Sequence, residues 1–251
     1  MNKTISVQRK EVLDIEGIKL YYEYFGKGHN TPTIVCDSGY GYTLANWQLI
    51  QDEVSQLAKI FIYDRDGLGK SDKSGRPRHS EQIVENLHKL LQKASIPPPY
   101  ILVGHSFGGV NVRLYAHAYP EEVVGIILLD SCHQDQNEKV VPLFKENVQR
   151  DYYNQFTEEG TLCEFEESLK QVRNAQSLGS TPLVVLSAGS QPHHTKESLS
   201  AWMSLQEELV KLSKKGEQII VENAGHNIHI DCPQVVIDTI KSMLETVSDQ
   251  P

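Results

Sequence analysis

Little in this sequence points toward nucleic acid, metal or membrane. Against 33 Asp and Glu it sets only 24 Lys and Arg, a formal net charge of −9. A nucleic-acid binder needs a basic face, so that class is excluded. An acidic surface repels anionic membranes as well. Cysteine is scarce: Cys36, Cys132, Cys163 and Cys232. None stand at CxxC distance and no zinc spacing is present, so they read as free packing thiols in a reducing compartment, with Cys132 exposed. Apolar runs stay under about ten residues, far short of the roughly 20 that a membrane helix needs. The opening MNKTISVQRKEVLDIEG has no apolar signal core. The expected location is the cytoplasm, and neither a cofactor nor a metal is expected.

What is present fits an ordinary globular domain. Hydrophobic residues make up 39% and charged residues 23% of 251, enough chain for one domain with a full core and too little for two comfortable ones. Short apolar runs alternate with helix-length segments, the pattern of an α/β fold with a mostly parallel sheet. Strands are expected at Glu11–Ile15, Ile18–Phe25, Thr33–Asp37, Lys59–Tyr63, Tyr100–Gly104, Val123–Asp130, Pro182–Ser187 and Gln218–Glu222. Helices are expected at Ala45–Leu57, Ser80–Ala94 with Ser80 as N-cap, Ser106–Tyr119, Lys196–Lys214 and Pro233–Val247. Residues 133–178 lack a strand and are aromatic-spotted and helical. An insertion at one point of an open sheet reads as a cap over the site.

The chemistry centres on Gly104-His105-Ser106-Phe107-Gly108-Gly109. This G-x-S-x-G run follows a strand and opens a helix, the context in which it carries meaning. The serine must sit on a sharp turn, and glycines beside it remove Cβ atoms that would collide. The helix N-terminus then favours developing negative charge at Ser106.

On these residues the chain resembles the α/β-hydrolase fold family, and the resemblance covers essentially all of it. GHSFGGVNVRLYAHAYPEEVVGIILLDS looks like that family's nucleophile turn, helix and next strand, and IFIYDRDGLGKSD like its strand-plus-loop. The resemblance implies a single domain over 1–251: an eight-stranded, mostly parallel sheet flanked by helices, with a small helical cap at 133–178. It also implies Ser106 as nucleophile. Asp64, Arg65 and Asp66 read as a loop ion-pair and turn network without chemistry.

Ten histidines compete for the role of base. His226, in Asn223-Ala224-Gly225-His226-Asn227, stands between the last strand and the last helix, where this fold keeps its histidine. Imidazole titrates near neutrality and can take and return a proton. His229 packs at the start of the last helix, and His193 and His194 read as surface loop. For the oxyanion, the backbone N–H of Phe107 and, by position, that of Tyr40 in Ser38-Gly39-Tyr40 are the expected donors. The family usually carries His-Gly-x there. The rings of Tyr40 and Tyr42 either line the pocket or pack as loop aromatics. Phe144, Tyr152 and Phe156 of the insertion either wall the substrate or form the insertion's own core.

The third member departs from the family pattern. Many relatives carry the acid after the strand that follows the cap, but Ser187-Ala188-Gly189-Ser190-Gln191-Pro192-His193-His194 has none before Glu197. Asp130, at the tip of the strand before the cap, keeps the order Ser…Asp…His. Asp130 is preferred, with Glu197 and Glu222 as alternatives. The expected function is hydrolysis of a small carboxylic ester through an acyl-enzyme. Lactonase, thioesterase, amidase and C–C bond hydrolase activities stay open, as does a slow-turnover or non-catalytic signalling or receptor role on the same fold. A small-molecule substrate is the only partner expected. The physiological substrate and the oligomeric state are not legible.

Overall fold

A computed structural model describes residues 6–27, 31–175 and 177–248. Eight strands form its centre. β1 (Ser6–Ile15) and β2 (Ile18–Lys27) make an antiparallel hairpin. Glu16 (φ 53) and Gly17 (φ 92) between them are both left-handed, as a two-residue turn matched to strand twist requires. β3 (Thr33–Asp37), β4 (Ile60–Tyr63), β5 (Tyr100–His105), β6 (Val123–Leu129), β7 (Leu183–Ala188) and β8 (Gly216–Val221) complete the set. The sheet order is β1-β2-β4-β3-β5-β6-β7-β8. β2 runs antiparallel to β4, and every pairing beyond that is parallel. The expected mostly parallel α/β sheet is therefore present.

The inner strands are apolar on both faces because helices cover both. Alternation survives only in which core each residue enters. Val35, Phe61 and Leu102 point into one apolar core, while Ile34, Ile62 and Val103 point into the other. The first face is packed by α2 (Ser80–Lys93) and α3 (Phe107–Ala118). The second is packed by α1 (Gln48–Leu57) and, from the C-terminal part of the chain, by Val236 and Ile240.

Between β6 and β7 the chain runs through α4 (Gln136–Lys139), a 3-10 turn at Val141–Leu143, α5 (Glu146–Asn154) and α6 (Leu162–Arg173). No strand interrupts this excursion among its described residues; residue 176 of the expected insertion lies outside them. The rest is α7 (Lys196–Val210), a short α8 (Ile228–Asp231) and α9 (Pro233–Ser248).

Two local expectations are corrected. The helix expected at Ala45 begins as a 3-10 turn at Leu44–Trp47, capped by the Thr43 side chain, and only Gln48–Leu57 is α-helical. Ser80 is not the N-cap of α2. His79 holds that position, and the buried Ser80 hydroxyl instead donates to Asn111 Oδ1 at 2.6 Å. Burial offers that hydroxyl a partner across the helix pair that a local cap would forgo.

Candidate active site

The turn from β5 to α3 sets Ser106 at φ 52 and ψ −117, a strained conformation for a residue with a Cβ. Two close approaches hold it. A Cβ on Gly104 would sit 2.7 Å from Gly108 O, and one on Gly108 would sit 2.1 Å from Asp37 O. The second contact shows why both glycines are needed. Gly108 lets the start of α3 press against the end of β3, where the Ser38-Gly39-Tyr40 turn begins.

Ser106 opens onto a cavity of about 400 Å³. Tyr40 and His226 line it from the sheet side, and Phe144, Tyr152, Phe156 and Phe165 from the excursion. The expected wall residues Phe144, Tyr152 and Phe156 thus face the cavity, and Phe156 and Phe165 also join the main core. Tyr42 does not line the cavity: it is exposed, with its ring stacked on His105 at 6.0 Å between centroids. The Tyr40 ring is packed edge-on to Phe107 and Phe156, while its hydroxyl donates to Gly160 O at 2.6 Å.

Asp130 follows β6 directly, with φ 41, and is wholly buried. His226 Nδ1 lies 2.6 Å from Asp130 Oδ2. A carboxylate accepts, so Nδ1 carries the proton and Nε2 is left with its lone pair. Glu197 and Glu222, the alternatives, are exposed, and neither touches His226. Ser106 Oγ contacts Cys132 Sγ at 3.6 Å, and among the described residues makes no hydrogen bond to His226. In unliganded sites such hydrogen bonds are commonly open and tighten around substrate.

Cys132 is buried, where the sequence pattern suggested exposure. Its backbone N–H donates to Ser106 O at 3.0 Å, which draws the residue under the turn. Burial pushes its thiol up to about 11. His193 is exposed, as the loop reading has it, and His194 is half-buried, yet both line the cavity, and the His194 ring lies 4.9 Å from Phe144. Partial burial lowers both, His194 to about 4, which disfavours positive charge on either.

Several residues that carry no motif position the rest. His105 Nε2 lies 3.0 Å from His226 O and donates to it, since a carbonyl only accepts. His105 and His229 are buried, and burial holds both neutral, His229 at about 4. The buried Arg65 donates to Ser38 O at 2.6 Å and Gly39 O at 2.7 Å, and pairs with Asp37 at 2.5 Å. Burial opposes its charge, but Glu159 and Asp37 outweigh burial and drive its pKa upward. Glu159 Oε2 in turn accepts the Gly41 N–H at 2.9 Å. The residues on both sides of Tyr40 are therefore fixed. The Asp-Arg-Asp loop was visible in sequence, but nothing local in it pointed to the Tyr40 turn.

One group has the composition of a metal site: His133, Asp135 and Glu208. Its protons argue against that use. His133 Nδ1 accepts the Asp135 N–H at 3.1 Å, which puts the ring proton on Nε2, facing Glu208 at 3.5 Å. Asp135 is already paired with Lys139 and Arg173, each at 2.9 Å. No imidazole lone pair is left for a cation.

Residues 32–161 match the family model of the alpha/beta hydrolase fold. An uncharacterized protein of Bacillus subtilis, YqjL, is 32% identical over 233 residues, 92% of this chain and 90% of that one. Among solved structures, a putative lipase from Acinetobacter baumannii superposes with a TM-score of 0.72 at 18% identity, covering 96% of this chain and 92% of that one. A thermophilic esterase from Thermogutta terrifontis gives 0.67 at 18% identity, covering 97% and 99%. At such identities the structures speak to the fold, which is the one built above. Sheet order and matched segment agree: the chain belongs to the alpha/beta hydrolase fold family.

Proposed function

We propose that this protein is a serine hydrolase of carboxylic esters with largely apolar, non-anionic acyl groups. The observation that carries the reading is the meeting of Ser106 and His226 on one cavity, with His226 Nδ1 held 2.6 Å from the buried Asp130. That contact leaves Nε2 free to accept a proton. Ser106 Oγ turns from Cys132 toward His226 and attacks the carbonyl as Nε2 takes its proton. The Phe107 and Tyr40 N–H groups receive the oxyanion, and the start of α3 adds its dipole. His226 returns the proton to the leaving alcohol, and water repeats the sequence on the acyl-enzyme.

The cavity supports the substrate class. Among the described residues its lining is rich in aromatic and aliphatic side chains, its one carboxylate is Asp151, and no Lys or Arg takes part in it. Partial burial disfavours positive charge on His193 and His194 there. A carboxylate on the acyl chain would lose its water without gaining a cation. Residues 133–178 act as the cap that supplies most of this wall.

A second reading, a slow-turnover signalling or receptor protein on the same fold, keeps the same residues and differs in turnover. Two measurements separate them: labelling by a fluorophosphonate probe, lost in Ser106→Ala, and turnover on a panel of p-nitrophenyl esters, lactones and thioesters. Labelling with turnover near 1 s⁻¹ or faster on an ester supports the enzyme. Turnover below about 10⁻³ s⁻¹ on every member favours the receptor. Absence of labelling overturns both.

A further inference from the structure

The chain places its acid before the excursion, and what surrounds that acid is unusual enough to be assigned a task. Asp130 is buried and must have all of its lone pairs served or lose free energy. Three neutral donors serve it besides His226. The Ala188 N–H reaches Oδ1 at 3.1 Å from the end of β7. Trp202 Nε1–H reaches Oδ1 at 2.9 Å from α7. Gln191 Nε2 lies 3.1 Å from Oδ2 and 3.4 Å from Oδ1, from the loop after β7. The Gln191 amide orientation follows from chemistry, because its carbonyl oxygen would face a carboxylate if flipped.

These donors divide the carboxylate. Oδ1 is occupied by Ala188 and Trp202, and the remaining face of Oδ2 is occupied by Gln191. What is left on Oδ2 points at His226 Nδ1, 2.6 Å away. Trp202 and Gln191 also line the cavity, and the Trp202 ring stands 6.5 Å from that of His226. They are thus built into the same wall as the reacting groups and are not remote braces. Resting on the hydrolase reading above, we propose that Trp202 and Gln191 are positioning residues that aim Asp130 Oδ2 at His226 and so set the strength of the base. Their side-chain donors go to Asp130 and not to Ser106. They act through one carboxylate, so their effects are coupled and not additive.

The test uses the intact chain with Trp202→Phe, which removes one N–H and keeps a ring, and Gln191→Met, which keeps length and removes the amide. Each is expected to lower kcat by about tenfold with little change in KM. Without them Oδ2 is no longer held toward His226 and stabilises imidazolium less, so the acid limb of the kcat/KM profile moves to lower pH. In an Asp130→Asn background the same two substitutions are expected to cost nothing further in kcat. A structural role alone would lower thermal stability in every background and leave the pH profile in place, and that result overturns the assignment.

A substrate-free measurement separates this inference from the proposed reaction. The His226 Nδ1 proton is expected as a low-field NMR signal, displaced or broadened in both variants. If esters are not hydrolysed but this signal still responds, the reaction is wrong and the positioning stands. If esters are hydrolysed and neither the signal nor the pH profile responds, the positioning is wrong.

Discussion

Arg65 donates its Nε–H to Glu159 Oε1 at 2.5 Å and an Nη2–H to Oε2 at 2.8 Å, a two-point contact between residues 94 positions apart. Arg65 comes from the loop after β4, and Glu159 from the excursion between β6 and β7. Both are buried, and together they grip Gly39 and Gly41 around Tyr40. The excursion is thereby joined to the turn that carries Tyr40, the proposed second oxyanion donor.

Breaking that pair leaves a buried charge without its partner. Glu159→Gln is expected to cost about 3 kcal/mol of stability, read from the urea midpoint. It is also expected to reduce kcat by tenfold or more, because the Tyr40 turn loses its anchor. Unchanged kcat in a folded variant would remove Tyr40 from the proposed oxyanion site.

Asp130→Asn and Glu197→Gln discriminate between the candidate acids. Asp130→Asn is expected to lower kcat by several orders of magnitude, since the amide would favour the wrong His226 tautomer. Glu197→Gln is expected to behave like wild type. The opposite pattern in steady-state kinetics would relocate the acid.

Stability is expected to fall on mild acidification. His133, at about 3, and His229, at about 4, are held neutral by burial, while their unfolded counterparts protonate near 6.5. The unfolded state then binds more protons, so unfolding becomes easier as pH drops below about 6.5, by about 1.4 kcal/mol per unit and per such histidine. The His229 contribution continues down to about 4. His229→Leu is expected to flatten the dependence between pH 6 and pH 5 by about one proton, measured by denaturant titration at each pH.

Thiol chemistry provides a further check on the site. Cys163 is exposed, whereas Cys132 is buried with its thiol at about 11. Iodoacetamide near neutral pH is expected to modify Cys163 well before Cys132, as peptide mapping by mass spectrometry would read out. Rapid native labelling of Cys132 would mean that the cavity floor is more open than described.

Carving the wall should retune chain length. Phe144→Ala, at the cavity face of the excursion, is expected to shift preference toward longer acyl chains without loss of fluorophosphonate labelling. Competition between p-nitrophenyl butyrate and octanoate measures it; an unmoved ratio would place the acyl group elsewhere.

By itself the sequence determined whatever depends on local pattern. Buried strands such as TIVCD and YILVG, the helix expected over Ser106–Tyr119, and the G-x-S-x-G turn announce themselves because period, glycine placement and chain order are properties of neighbouring residues. It also favoured Asp130 over Glu197 and Glu222 as the candidate acid, because the loop after β7 carries no carboxylate before Glu197. Only the tertiary structure decided which side chains meet across the sheet edge. Cys132 beneath Ser106, Gln191 and Trp202 around Asp130, and Arg65 with Glu159 around the Tyr40 turn are contacts between segments far apart in the chain. No periodicity encodes them, because burial forces polar groups to find partners wherever the packed elements bring them. The same reason turned His193 and His194 from loop residues into cavity wall and left Tyr42 outside it: which way a loop side chain faces is set by what packs against the loop.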